Sequence, residues 1–360
     1  SLPQPKGKAM SFRTVKLALV AAVAAGMLTA CTPPMPPEVQ AALAEASYTC
    51  IDGNGTAVLP SVMDDATPVL TDSILGNCPG MALEPVASGG NLTVYEGSTP
   101  TDCKAFNTVP YALDAGVVSV TLESASGVVL KPATVQGIFD GSITQWEDPA
   151  ITADNEDTEL STGPINVFAP TDKLALAAFS SWYKHLTGKD FKAPLLKPQS
   201  NLTMQDLGDL PDGTIALLPF SVFNAYSVEA YTVPLAASIV ADKANTLGVV
   251  ADAGGVGSAG TQFKISKSEL GIDVKIDYAA KPIAPLGSDI APDPYGATYP
   301  VKLSLCGQDT KLTRALARYL LRQDSQGALT TYVPLPDNIR AESLVVVSKG
   351  LPTPTDLPTK

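Results

Sequence analysis

Ser181-Trp182-Tyr183-Lys184 sets a hydroxyl three residues ahead of an amine, the Ser-x-x-Lys spacing of an activated nucleophile. The Ser-Asp-Asn and Lys-Thr-Gly elements that accompany such a nucleophile are absent. Trp182 also sits on the apolar side of a helical repeat, so packing accounts for the segment. His185, the one histidine of the chain, has no serine or cysteine elbow near it and is expected to be solvated or capping. Asp64-Asp65 and Glu147-Asp148 are adjacent acids, which do not face one another along a helix and are expected to be solvated. Gly255-Val256-Gly257-Ser258-Ala259-Gly260 fits Gly-x-Gly-x-x-Gly, but a dinucleotide loop must open a helix. Thr261 to Ile265 reads instead as a strand, so the glycines are expected to form a flexible surface loop. No residue is assigned to catalysis or to a metal, no cofactor is expected, and the chain is read as no enzyme.

Gly53-Asn54-Gly55-Thr56 carries a different chemistry. Tyr48 to Asp52 reads as a strand, and a helical stretch follows the glycines to about Leu75. A glycine-rich turn between strand and helix exposes N–H groups at the positive helix end, where a phosphate or carboxylate can bind. The elements around it alternate. Met81–Val86, Val117–Leu122, Ile165–Phe168, Ile215–Leu218 and Tyr231–Leu235 read as strands. Pro132–Asp140, Leu174–Leu186 and Leu312–Gln323 read as helices, the last ended by Gly327. Such alternation predicts an α/β protein with parallel sheets.

The first residues say where this chemistry would take place. Arg13 and Lys16 precede an apolar run from Leu17 to Met27 that ends in Leu28-Thr29-Ala30-Cys31. The run is short for a membrane span, and its end matches the lipobox of bacterial lipoproteins. Residues 1–30 are therefore read as a signal peptide, with Met10 as the natural start and residues 1–9 as an extension. Cys31 is the expected lipidation site, and buried acyl chains would hold the protein on the outer face of the bacterial cytoplasmic membrane. Residues 31–45 form the tether, stiffened by Pro33, Pro34, Pro36 and Pro37.

About 330 residues follow the leader, more than one core of roughly 250–300 residues holds, so two lobes are expected. Hydrophobic content of 45% against 17% charged residues describes a folded body. The whole chain has a formal charge of −12. Its first 30 residues carry four basic residues and no acid, which leaves 20 basic against 36 acidic residues, a net of −16. That charge excludes nucleic acid as a main partner. It leaves room for a small anion held by backbone N–H groups. Beyond Cys31 there are Cys50, Cys78, Cys103 and Cys306, an even number that suggests two disulfides and allows three pairings.

From Leu130 to Ile151 the sequence Leu-Lys-Pro-Ala-Thr-Val-Gln-Gly-Ile-Phe-Asp-Gly-Ser-Ile-Thr-Gln-Trp-Glu-Asp-Pro-Ala-Ile resembles the Ile-Phe-x-Gly-x-Ile-x-x-Trp-x-Asp-Pro block of the phosphate-binding proteins that feed ABC importers. Asp52 to Thr56 resembles the first glycine-rich turn of that PstS-like family, Ala87 to Gly90 its Gly-Ser-Gly turn, and Gly213 to Ala216 a later strand. Tyr299-Pro300 and Tyr332 to Pro336 resemble its C-terminal features. The resemblance implies a two-lobed periplasmic-binding-protein-like fold of type II. Each lobe would be a mostly parallel sheet flanked by helices, and crossing strands near Val117–Thr121 and Tyr299–Leu303 would join the lobes. Lobe one would combine residues 46–120 and 299–360, and lobe two residues 121–298. Cys50 and Cys78 then start neighbouring strands and are expected to pair, leaving Cys103 for Cys306.

Carried over residue by residue, Thr56, Ala57, Ser88, Gly89 and Asp102 would supply the ligand contacts of lobe one, and Thr171 with Lys173 those of lobe two. The departure lies in Val167 to Leu176, where the family has an arginine, an acid and Ser-Gly-Thr at a helix start. This chain has none of these except Asp172. At roughly 1.5–3 kcal/mol per charge-assisted bond, that loss removes much of a phosphate grip. Lys173 restores charge but not the bidentate geometry. The expected function is capture of phosphate or another small anion for an ABC permease. The alternative is a ligand-free scaffold docked on an envelope membrane complex.

Overall fold

The computed structural model describes residues 39, 45, 47–123, 127–200, 202, 210–226, 231–235, 248–327 and 331–352. The leader, Cys31 and the proline spacer lie outside these residues, and so does most of the tether.

Strand β1 (Gly53–Val58) is followed by a 3-10 turn at residues 61–63, helix α1 (Ala66–Asn77), and strands β2 (Met81–Pro85) and β3 (Leu92–Glu96). β1 lies between β2 and β3, parallel to both. The glycine-rich stretch expected to be a turn is therefore the strand itself. Helix α7, introduced below, explains its composition. A Cβ on Gly53 would come within 2.7 Å of Leu312 on that helix, and one on Gly55 within 2.3 Å of Leu316.

Strand β4 (Ala105–Thr121) is 17 residues long, and Val109 to Val120 are all buried. A continuous buried run is the mark of a strand covered on both faces. After it come α2 (Pro132–Asp140), α3 (Pro149–Asp154), β5 (Asn166–Val167), β6 (Pro170–Asp172), α4 (Lys173–Thr187), β7 (Lys197–Gln199), β8 (Thr214–Pro219), α5 (Phe220–Tyr226) and β9 (Tyr231–Thr232). The chain closes with α6 (Ala253–Gly260), β10 (Phe263–Ser268), β11 (Gly271–Ile276), β12 (Thr298–Cys306), α7 (Lys311–Leu320), α8 (Gln323–Gly327), β13 (Val333–Pro334) and α9 (Asp337–Val347).

Two sheets share β4. Its first half joins the order β10-β11-β4-β12-β3-β1-β2, while Gly116 to Thr121 pairs with β8 and β9. Gly116 marks the change of sheet. A Cβ there would stand 2.1 Å from the Ala175 carbonyl, so only glycine lets α4 pass this close. Both sheets are mixed: β1, β2 and β3 are parallel, as are β5 and β8, whereas β12 and β8 run antiparallel to β4. The architecture is an α/β fold with a large central sheet flanked by helices.

Two expectations change. β10 and β11 fall within residues 121–298, yet Gly271 pairs with Thr108 and carries the hairpin into the first sheet. The free edge of β4 takes that hairpin, so the return to lobe one comes by about residue 250 rather than at 299. The 255–260 glycines form α6, not a surface loop. Asp252 caps the helix by accepting from the Gly255 N–H at 2.7 Å. Small residues let it press against β4 and Pro336; a Cβ on Gly260 would meet Leu113 at 2.4 Å.

The recognisable block is built for packing. Pro132 opens α2 at its first turn, Gly141 ends it with φ +86°, and Asp148 caps α3. Ile138, Phe139, Trp146 and Ile151 are buried, and the Trp146 Nε1–H donates to the Gly213 carbonyl at 3.1 Å. The disulfides join Cys50 to Cys78 and Cys103 to Cys306, as expected.

Candidate functional site

A cleft of about 740 Å³ opens between the two sheets beside the Gly116 change-over. The first sheet contributes the end of β1 with the turn at Ser61, and the end of β3 at Glu96 and Gly97. The second side contributes the start of α4 at Asp172 to Leu174, Ser200 after β7, and Ser221 in the first turn of α5. Tyr332 closes one wall.

Helix α4 starts here because Asp172 takes extended backbone angles (φ −78°, ψ 138°) and caps it. The Asp172 Oδ1 accepts from the N–H groups of Leu174 at 2.8 Å and Ala175 at 3.0 Å. Burial raises the Asp172 carboxyl above its ordinary range, and the two cap bonds pull against that rise. Lys173 is exposed at the cleft wall and is the one cation among its described lining residues.

Behind the opposite wall lies Asp114, a carboxylate with no exposed surface in the middle of β4. Its Oδ1 accepts from the N–H groups of Ala115 at 2.8 Å and Ser221 at 3.0 Å. Its Oδ2 accepts from the Ser221 hydroxyl at 2.5 Å. Glu96 is hydrogen-bonded to Asp114, and the Tyr299 hydroxyl donates to Glu96 Oε2 at 3.5 Å. Burial first, and then the neighbouring Asp114 charge, push Glu96 well above the usual carboxylate range. Burial also raises Asp114, while bonds from Glu96 and Ser221 lower it. The pair therefore keeps a proton on Glu96 that it gives to Asp114. Burial likewise raises the hydroxyls of Tyr299 and Tyr332 beside them.

Of the residues expected at a ligand, Lys173 lines this cleft. Thr56 is instead stitched to Asn91, donating its hydroxyl to Asn91 Oδ1 and accepting from the Asn91 N–H, both at 3.0 Å. Ala57 is fully buried. Ser88 and Gly89 form an exposed turn whose Gly89 N–H donates to Asp102 at 2.7 Å. Thr171 is buried and gives its hydroxyl to the Leu217 carbonyl at 2.6 Å. The nucleophile spacing assembles nothing, since Lys184 pairs with Asp190 at 2.8 Å and Trp182 is packed. His185 is exposed and stacks on Tyr278. Among the described residues no cluster of histidine, cysteine or acidic side chains could hold a metal.

Sequence reasoning missed Glu96, Asp114, Ser221, Tyr299 and Tyr332 at the cleft. Asp114 did leave a signal, as the lone charged residue of the apolar run Val109–Val120. A carboxylate there must have buried donors waiting for it.

A family model described as "PBP superfamily domain" matches residues 97–324. The phosphate-binding protein PstS 3 of Mycobacterium tuberculosis H37Rv is 31% identical over 147 residues, 32% of this chain and 39% of that protein. Its namesake in Mycobacterium leprae is 29% identical over 147 residues, 32% of this chain and 40% of that protein. The chain thus spans about two fifths of the length of these curated relatives. Among solved structures, a putative phosphate ABC transporter substrate-binding protein with bound phosphate from Clostridium perfringens aligns with TM-score 0.45 and 11% identity, over 79% of this chain and all of that one. A phosphate transport receptor from Vibrio cholerae aligns with TM-score 0.40 and 12% identity, over 77% and 96%.

Proposed function

The chain belongs to the PBP superfamily, and from that premise we propose that it captures a small solute between its two lobes. It does so as an exported protein, lipid-anchored at Cys31, and passes the solute to an ABC importer. The observation that carries this reading is the cleft beside Gly116. Its volume of about 740 Å³ suits a small ligand, and it lies where one strand passes from one sheet to the other. Rotation about such a crossing is the usual means of closing two lobes on a ligand. The leader ending in Leu28-Thr29-Ala30-Cys31 and the two disulfides support an extracytoplasmic place of work. The relatives are named for phosphate, which makes inorganic phosphate the first ligand to test.

A second reading, a ligand-free subunit docked on an envelope complex, is favoured by one observation. Asp172 and Asp114 occupy the N–H donors on both sides of the cleft. Thermal unfolding of the purified protein against a panel of small solutes separates the two. Stabilisation by any solute supports capture, and a flat response to the whole panel supports docking.

A further inference from the structure

The start of α4, a helix of 15 residues, is where this cleft offers an anion its strongest welcome. Free N–H groups and the positive end of the helix dipole would meet there. In this chain the welcome is taken up internally. The Asp172 Oδ1 accepts from both Leu174 and Ala175, and Asp172 itself lines the cleft. Across the gap, the N–H and hydroxyl of Ser221 are both spent on Asp114, with Glu96 bonded to the same carboxylate. An oxyanion entering here would find carboxylate oxygens where it needs donors. Lys173 alone could answer them, and a flexible exposed ammonium supplies a point charge rather than a fork of donors.

We propose that Asp172 determines the specificity of this site: its carboxylate fills the donors of the α4 start and turns the cleft against free oxyanions. Its solute is then a small donor-rich molecule without negative charge, of the polyol or amine class. This inference rests on the capture reading above. It follows from complementarity, since the groups left facing the cleft are acceptors and a ligand must bring the protons. A ligand that supplied only acceptors would leave buried carboxylate oxygens without partners.

The test is calorimetric titration of inorganic phosphate into the full chain, the Asp172→Gly variant and the Asp172→Gly/Glu96→Gln double variant. Glycine at an N-cap retains most of the cap's stability, and the extended backbone at this position admits it. Circular dichroism and the unfolding midpoint check that the variants are folded. The expected result is no heat from the unaltered chain at about 1 mM phosphate, and at least about tenfold tighter binding by Asp172→Gly. Micromolar binding of phosphate by the unaltered chain would overturn the inference while leaving capture intact. Folded variants with no gain would overturn it too, because Asp172 would then not be what excludes the anion. A gain by the variants, with no polyol or amine bound by the unaltered chain, would uphold the role of Asp172 and remove the capture reading.

Discussion

Ser221 gives both its N–H and its hydroxyl to Asp114, at 3.0 and 2.5 Å, and so ties the first turn of α5 to the strand that runs through both sheets. The tie sits two residues before Gly116, where β4 changes partners from β12 to β8. A fully buried carboxylate is costly unless its lone pairs are met, and here four donors meet it. Ser221→Ala removes the shortest of these bonds and leaves Asp114 short of a partner in a site without water access. Urea unfolding should show a loss of about 1–3 kcal/mol. An unchanged midpoint would mean that Asp114 is satisfied without the serine.

Glu96 gives a pH dependence whose sign can be worked out. Burial, with the Asp114 charge second, holds its carboxyl well above the ordinary value of 4.5. Between those two values the folded chain binds more protons than the unfolded one, so stability falls as pH rises. Asp114 and Asp172, raised by burial, act in the same sense. Urea midpoints measured between about pH 5 and pH 8 should decline in the unaltered chain and decline less in Glu96→Gln. An identical slope in both would show that Glu96 titrates normally.

How much of this was legible in the sequence depended on whether a feature is local. Pro132–Asp140 and Leu174–Leu186 were found because periodicity and end signals agree. Pro132 starts the first helix, and Gly141 and Gly188, both with positive φ, end the two. The disulfide partners followed once neighbouring strands were inferred. The glycines of β1 could not be read locally, because what demands them is α7, more than 250 residues away, laying Leu312 and Leu316 across the strand. The same holds for α6, whose small residues answer to β4 and Pro336. At the site, Lys173 was visible as a charge at a helix start. The other cleft groups come from residues 96, 114, 172, 221, 299 and 332, which only the two-sheet topology brings together.

The disulfides should differ in worth. Cys50 and Cys78 are 28 residues apart, and Cys103 and Cys306 are 203 apart. In the chain-entropy account the shorter loop contributes roughly 3.5 kcal/mol and the longer roughly 5 kcal/mol. Replacing each pair by serines and measuring urea midpoints should therefore cost more for Cys103/Cys306. A larger loss from Cys50/Cys78 would show that local packing, not loop closure, sets their value.

The claim on which the rest depends is that the cleft beside Gly116 holds a solute. Its most direct test is thermal unfolding of the purified protein with phosphate, sulfate, polyols, amino acids and small amines. Lys173→Trp, which fills the cleft wall from an exposed position, serves as the blocked control. The account predicts that a polyol or amine raises the midpoint, by about 2.7 kcal/mol at a hundredfold excess over Kd, and that Lys173→Trp loses the effect. If no solute stabilises the chain, or if the blocked variant responds equally, the cleft is not a binding site.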